Sequence, residues 1–285
     1  AGGSAVFNPL NAWTDSDVNT ENPDSKFWSF SVGRELGEFV IEAGYTGSRG
    51  GHGINQVHAN PSVLTAEQAA LVAATKNANA IPSVQARRVY PLYGVRTLIP
   101  AYTGPAGNDV EARSEYNGGY ISVNKRFSHG VQFGVSYTRS KFESNNDASL
   151  GENGTDGSSQ RPQSMFDYEA EWSLSQFDVP NRFVVNYTWE VPGPKSGFLK
   201  HILGGWQFSG ITAYQSGRPF TISTGVDSNG DGTTGSDRPD RGSGSLNWDD
   251  EHRSFTNDGY VTVPLGTNNL PLANSLGDGN LGRNA

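Results

Sequence analysis

The 285-residue chain has no cysteine and a single methionine. Without cysteine it can form neither disulfides nor thiolate metal centres, although this names no compartment. Hydrophobic residues make up only 34 % of the sequence, a low share for a conventional buried core. No apolar run approaches the ~18–20 residues of a membrane-crossing helix. That does not exclude a membrane, because a transmembrane strand needs only ~9–11 residues, of which alternate ones are apolar. A basic excess is also missing. The formal charge is −8, which argues against a nucleic-acid partner, since such a partner requires a basic face. The opening stretch AGGSAVFNPLNAW has neither the charged nor the apolar region of a signal peptide. Either a signal has been removed or the chain is a portion of something longer.

Glycine (36), phenylalanine (14), tyrosine (11) and tryptophan (6) are plentiful. This composition suits long strands with one polar face, joined by wet loops. Period-two alternation locates those strands. Phe39, Ile41, Ala43 and Tyr45 alternate with Val40, Glu42 and Gly44. Ile121, Val123, Lys125 and Phe127 alternate with Tyr120, Ser122, Asn124 and Arg126, and Val131, Phe133, Val135 and Tyr137 with Gln132, Gly134, Ser136 and Thr138. Phe183, Val185, Tyr187 and Trp189 share a face, as do Trp206, Phe208, Gly210, Thr212 and Tyr214. The expected strands lie near 26–34, 38–46, 119–127, 131–142, 181–191 and 205–223, with a hint of another at Tyr260–Val263.

The connections alternate in length. Those at 35–37 and 128–130 are short and that at 192–203 is medium, while 47–117, 144–179 and 225–259 are long. Strands of a membrane barrel alternate in direction, so this parity places every long loop on one side. Aromatics sort toward two levels. Phe39, Phe127, Trp189 and Trp206 lie near the short connections, and Tyr45, Tyr137, Phe183 and Tyr214 near the long ones. Rings gather at both boundaries of a bilayer; ordinary cross-strand aromatic pairing in a soluble sheet is the alternative account. Glu42 and Arg126 fall on the polar face, while Lys125 falls on the apolar face near a short turn, where it is expected to snorkel. One loop helix is expected at about 65–76, opened by a capping box in which Thr65 and Gln68 serve each other's amides. The fold class is therefore all-β: an antiparallel transmembrane β-barrel portion with long extracellular loops and one short helix.

Several blocks carry a family resemblance. RELGEFVIEAGYTGSRG, YNGGYISVNKRFSHGVQFGVSYTRSKF, SLSQFDVPNRFVVNYTWEVPGP and LGGWQFSGITAYQSGRPFTI resemble consecutive parts of the Oar-like TonB-dependent transporters. VDSNGDGTTGSDRPD and LGDGNLGRNA resemble later pieces in the same order, so the likeness covers roughly residues 26–285. It implies a barrel of about 22 strands in the bacterial outer membrane with a plug in its lumen, long loops outside the cell, and energy delivered through TonB. The implied partners are outer-membrane lipid, a plug domain and TonB, the last two outside this chain. The cargo is a solute or polypeptide, taken up or exported. No plug, TonB box or terminal aromatic strand is recognisable in the 285 residues, so an internal portion of six to eight strands is expected. Such a portion has two unpaired edges that lipid cannot satisfy. Either further strands complete it, or fragments associate edge to edge as an extracellular filament.

Asp227, Asn229, Asp231, Thr233 and Asp237 form a candidate calcium loop. Oxygen ligands recur at alternate positions, and Gly232 permits the sharp turn. Arg238 stands where an EF-hand carries its bidentate Glu, leaving Asp237 or Asp240 to substitute with altered geometry. An exposed loop rich in Asx-turns explains the same residues without a metal, and a calcium-stabilised surface adhesin is a third reading of the whole chain. His52, His58, His129, His201 and His252 make no HExxH or H-x-x-x-H pattern. There is no G-x-S-x-G, and Gly193-Pro194-Lys195-Ser196 lacks the leading glycine of a phosphate loop. No enzymatic activity is expected.

Overall fold

The computed structural model describes residues 13–18, 21–53, 55–75, 77–98, 102–105, 107–147, 162–194, 196–225, 227–233, 236–249, 254–259, 261–262 and 279–284. Six long strands dominate: β1 (Asp24–Leu36), β2 (Phe39–Gly53), β3 (Ala112–Ser128), β4 (Val131–Ser144), β5 (Asn181–Glu190) and β6 (Gln207–Gln215). Each pairs antiparallel with its sequence neighbours, so spatial order repeats chain order. The short strand Ser173–Leu174 adds to the far end of β4. β1 and β6 are the two ends of this sheet, which does not close among the described residues.

Register fixes the faces, because directly opposed residues share a side. One row runs Arg34, Ile41, Val123, Val135, Val185, Thr212, and the next runs Val32, Ala43, Ile121, Tyr137, Phe183, Tyr214. The interleaved rows hold Gly33, Glu42, Ser122, Ser136, Val184 and Ala213, then Ser31, Gly44, Tyr120, Thr138, Arg182 and Gln215. Across these rows one face of the sheet is thus mainly apolar and aromatic, with Lys125 and Arg139 on the same parity at its two margins, and the other is small and mostly polar. Arg34 breaks the apolar rule, one row from the short turn on edge strand β1. That placement follows from Arg34 opposing Ile41, a pairing that alternation along β1 alone does not reveal.

The apolar face has limits. Two rows beyond Tyr45 the same parity carries Lys26, Arg49, Glu115 and Glu143, where Arg49 pairs with Glu115 at 2.8 Å and Lys141 with Glu143 at 2.7 Å. From Phe39 to Tyr45, or Trp206 to Tyr214, the aromatic levels are ~20–26 Å apart along a strand rising ~3.3 Å per residue. That spacing approaches the ~25 Å apolar band of outer-membrane barrels. The hairpin ends also step along the shared register. The last pairs are Leu36 with Phe39, Ser128 with Val131, and Glu190 with Gln207. Over four strand spacings this drift amounts to three residues, a slant of roughly 27° at ~3.3 Å per residue and ~4.8 Å per strand, in the same sense as the ~35–45° tilt of membrane barrels but smaller.

Turn chemistry explains the short connections. His129 and Gly130 both have positive φ (51° and 79°), the requirement of a two-residue type I′ hairpin. In the first hairpin the two turn residues are Gly37 and Glu38, with positive φ only at Gly37 (62°), as in type II′. Lys125 does not snorkel. A register shift between Lys125 and Ser128 folds its ammonium back over the turn, where it donates to the Ser128 and Val131 carbonyls (3.2 and 3.1 Å) and lies 3.3 Å from Glu38. These partners hold the charge better than a reach to water would.

Three expected boundaries need correction. The strand expected over 205–223 stops at Gln215, and Pro219 with no amide to donate suits the irregular path that follows. The long loop expected over 47–117 is shorter, because β2 runs on to Gly53 and β3 begins at Ala112. Polar, glycine-rich strand ends such as Gly47–Gly53 carry no apolar alternation to mark them. Within 225–259 lies a hairpin, Ser245–Asp249 with Ser254–Asp258. Of the hinted strand at Tyr260–Val263, Val261–Thr262 pairs with Asp240–Arg241, while Tyr260 and Val263 lie outside the described residues. The helix α1 spans Ala66–Thr75. Its capping box is formed: the Gln68 amide donates to Thr65 Oγ1 and the Thr65 amide to Gln68 Oε1, both 3.2 Å.

Close approach on the polar face accounts for Gly44. The Tyr120 ring lies across it and the Tyr120 hydroxyl donates to Glu42. A Cβ at Gly44 would sit 2.6 Å from the ring. Gly44→Ala is therefore expected to expel the ring and break that hydrogen bond, at a cost of about 1–3 kcal/mol. Urea-dependent refolding into detergent would measure it. Combined with Tyr120→Ala, the substitution should add almost nothing, since the clash is then gone.

Candidate functional site: the inner wall and the loop cap

Among the described residues the buried hydrophobic cluster is not in the six-strand sheet. Val57, Val110, Met165 and Tyr168 form a buried cluster with Leu98 against it, and these residues come from the long loops. By contrast, the apolar sheet face stays uncovered: Phe30 is 69 % exposed, Val32 60 %, Phe208 57 % and Tyr214 69 %. A soluble sandwich would bury that face against a second sheet. A face of this size left open marks a surface that meets another apolar phase or partner.

The loops assemble into a cap at the end of the sheet away from the hairpin turns. Polar side chains hold it together. Glu171 (2 % exposed) receives a bidentate pair from Arg238 (3 % exposed) at 2.8 and 2.9 Å, and a third bond from the Gln163 amide at 2.9 Å. Gln163 ties four segments together. Its Oε1 accepts from the Arg238 amide (2.7 Å), its carbonyl from Asn229 Nδ2 (2.9 Å), and its Nε2 donates to the Gly279 carbonyl (2.9 Å). Arg283 bonds Asp147 and the Ser144 carbonyl, anchoring residues 279–284 to the end of β4. None of this knot is visible as a motif, because its members are up to 139 positions apart. The high polar content of the loops is the sole signal that they could build one.

Where the cap meets the polar face, a cavity of about 460 Å³ opens, lined by Tyr116, Tyr120, Phe142, Phe177, Arg182 and neighbouring small polar residues. Tyr116 and Phe142 meet edge to face at 6.2 Å, and Arg218 stands 6.0 Å over the Phe177 ring. The Phe142 amide donates to buried Asp178, and Ser140 Oγ to the Val179 carbonyl, which fixes the 175–180 segment as one wall. Aromatic faces beside a cation and hydroxyl groups form a surface able to bind polar organic molecules by stacking and hydrogen bonding.

The sequence-predicted loop is fully described at Asp227, Asn229, Asp231, Thr233 and Asp237. It packs against the cap: the Ser62 amide donates to the Asp231 carbonyl (2.9 Å), and Ser62 Oγ and Arg87 Nη1 donate to the Gly230 carbonyl (2.7 and 2.9 Å). Gly232 holds φ +94°. Asx-turn bonds are present, from the Asp231 amide to Asn229 Oδ1 (3.0 Å) and from Thr233 N–H and O–H to Asp231 Oδ1 (both 2.7 Å). Burial pushes the Asp237 carboxyl up to about 7, and the charges of Asp231 and Asp227 push the same way against the opposing Ser228 hydrogen bond. Burial also raises Asp227. Asp240 does not join them; its carboxylate accepts from the Asn280 amide at 3.0 Å.

Of the histidines, His252 lies outside the described residues. His52, at φ 51°, ends β2 beyond the aromatic level and faces three acids: Asp24 (3.2 Å), Glu21 (2.9 Å) and Glu111 (4.0 Å). The hydrogen bond to Asp24 foremost, aided by the charges of Glu111 and Glu21, raises its pKa above the ordinary 6.5, against a smaller opposing effect of burial. A raised native value contributes stability that is full below the unfolded pKa and is lost as pH rises through the native one. The junction of β1, β2 and the loop preceding β3 is therefore expected to loosen as pH climbs above the ordinary histidine value of about 6.5. Amide exchange at 21–24 and 50–53 would report it, and His52→Gln should remove the pH dependence.

No helix of the described residues is long and apolar enough to cross a membrane, which says nothing of strands. No curated protein and no solved structure matches the chain. A family model does, over residues 1–285, and its description is that of an outer membrane beta barrel domain. The two-faced antiparallel meander agrees with that description, and the chain belongs to the outer membrane beta barrel domain family.

Proposed function

We propose that this chain is part of the wall and the outer loops of a TonB-dependent transporter, with the long loops facing the cell exterior. The observation that carries the reading is a six-strand meander with one mainly apolar face, one polar face, and both edge strands open among the described residues. Open edges in lipid are not tolerated, so further strands must complete the ring. A ring much larger than eight strands has a lumen wide enough for a plug or cargo. The likeness of the 26–285 blocks to Oar-like transporters supplies TonB and the plug as partners. The cavity at Tyr116, Tyr120, Phe142, Phe177 and Arg182 lies on the lumenal side of the wall, where cargo or plug would pass. No chemical step is assigned to these residues; their work is to bind and to guide.

Site-directed photo-crosslinking in intact cells tests the reading. The complete outer-membrane protein should crosslink to TonB through its periplasmic segment, and should conduct ions as a large pore in planar bilayers once its plug is deleted. A protein that never meets TonB and remains ordered in plain buffer as a polymer would overturn the reading in favour of edge-to-edge assembly.

A further inference from the structure

Among the described residues the carboxylates of Asp227 and Asp237 are incompletely hydrogen-bonded. Asp237 is wholly buried (0 % exposed). One of its oxygens, Oδ2, accepts from the Ser228 amide and hydroxyl, while Oδ1 has no hydrogen-bond partner among the described residues. Asp227 is served by the Gly232 amide at 3.0 Å on Oδ2 and by the Gly230 and Asp231 amides, while its buried Oδ1 has no hydrogen-bond partner of standard geometry among the described residues. Leaving a buried carboxylate oxygen unsatisfied is costly, and most such groups in folded proteins are occupied by a donor, a water or an ion. Arg87 and Arg88 act on Asp227 and Asp231 through space. Their guanidinium groups nevertheless donate to carbonyls, those of Val63 and Gly230 for Arg87 and of Asn60 for Arg88.

We propose that this loop binds a calcium ion through Asp227 Oδ1 and Asp237 Oδ1, with Asp231 and the Thr233 carbonyl completing the protein ligands and water the remainder. The donor set is all oxygen, which selects a hard cation, and its irregular mixture suits calcium better than the strict octahedron of magnesium. The spacing agrees. Asp227, Asn229, Asp231 and Thr233 hold positions 1, 3, 5 and 7 of a calcium loop, and Gly232 turns at position 6. Arg238, at position 12, is committed to Glu171, so the closing carboxylate comes from Asp237 one residue earlier. Asn229 differs from the simple pattern: its Oδ1 serves the Asp231 amide and its Nδ2 the Gln163 carbonyl. It ties the site to the cap instead of ligating. Among the described residues no three acidic or histidine side chains are gathered around one metal position. Binding therefore requires the cation to draw Asp227 and Asp237 together. The ion would brace the cap, since the loop contacts Ser62, Arg87 and Gln163.

The proposal does not depend on transport. Its test uses the complete outer-membrane protein in detergent, stripped with EDTA and titrated with CaCl2, then with TbCl3 as a luminescent probe. One saturable site half-filled at about 10⁻⁴–10⁻³ M calcium is expected, the range of weak extracellular sites. Calcium, but not equal magnesium, should raise the melting temperature of the cap by several degrees and displace terbium. Asp237→Asn should bind at least tenfold more weakly and lose the calcium-dependent shift. In EDTA it should melt no lower than the parent, because it removes a buried charge. No binding heat and no shift in the parent protein at about 10 mM calcium would overturn the proposal whether or not the variant folds. An unchanged calcium response in Asp237→Asn would overturn it equally.

Discussion

Val135→Lys is expected to destabilise the folded protein in a bilayer by about 2–4 kcal/mol, while Ser136→Lys costs little. The two residues are adjacent in β4 and differ only in face. Val135 is opposed by Val123 and Val185, deep in the apolar band; Ser136 is opposed by Ser122 and Val184 on the polar side. An ammonium at 135 must either sit in hydrocarbon or reach past the Phe133 or Tyr137 level to water. At 136 it projects toward the lumen. Equilibrium refolding of the complete protein into vesicles at graded urea, read by heat-modifiable mobility, separates the two. Equal costs at both positions would sink the membrane assignment of the apolar face. Arg34 shares that face on β1, one row from its short turn. Arg34→Leu is expected to be neutral or mildly stabilising in the same assay.

The sheet was legible because lipid and lumen impose period-two alternation on every strand, and alternation survives without knowledge of partners. The runs Ile121–Phe127 and Phe183–Trp189 announced the faces, while the register came only with the pairing of the strands. Turn positions were legible for the same kind of reason: His129-Gly130 permits the left-handed backbone that a two-residue hairpin needs. What alternation could not show lay past the apolar band. Gly47–Gly53 and Ala112–Asn117 are strands held by backbone bonds and by Arg49–Glu115, with no apolar face to advertise them. Lys125 was placed on the correct face but given the wrong partner, because the register shift beside it depends on Ser128 and Glu38, which the sequence does not put next to it. The cap was illegible for a deeper reason. Its stability comes from specific long-range polar pairs such as Arg238 with Glu171, and composition gives no hint of which acid meets which base. The acidic loop at 227–237, by contrast, was local in sequence, and the fold buries Asp231 and Asp237 and half-buries Asp227.

Glu171→Ala is expected to cost about 3–5 kcal/mol, because it leaves the Arg238 guanidinium buried without its partner. The loss should be confined to the cap. Arg238 and Glu171 are 4 % and 2 % exposed at their side chains, but neither belongs to the six-strand meander, whose strands are held by their own ladders. The expected result is therefore a protein that still resists heat as a barrel while its long loops become open to protease. Cleavage within the 216–244 and 279–284 segments should rise most, since Arg238 also donates to the Leu281 carbonyl at 3.0 Å and Arg283 to the Glu171 carbonyl at 3.2 Å. Replacing both partners with apolar residues, Glu171→Leu with Arg238→Met, should recover much of the loss, because the cost lies in the stranded charge more than in the missing bond. If the double variant is as protease-sensitive as the single one, the bonds from Gln163 and Leu281 carry the cap and the ion pair is secondary. If Glu171→Ala instead abolishes barrel formation, the cap is required for the sheet to assemble, and the separation between a lipid-held wall and a polar-held cap fails.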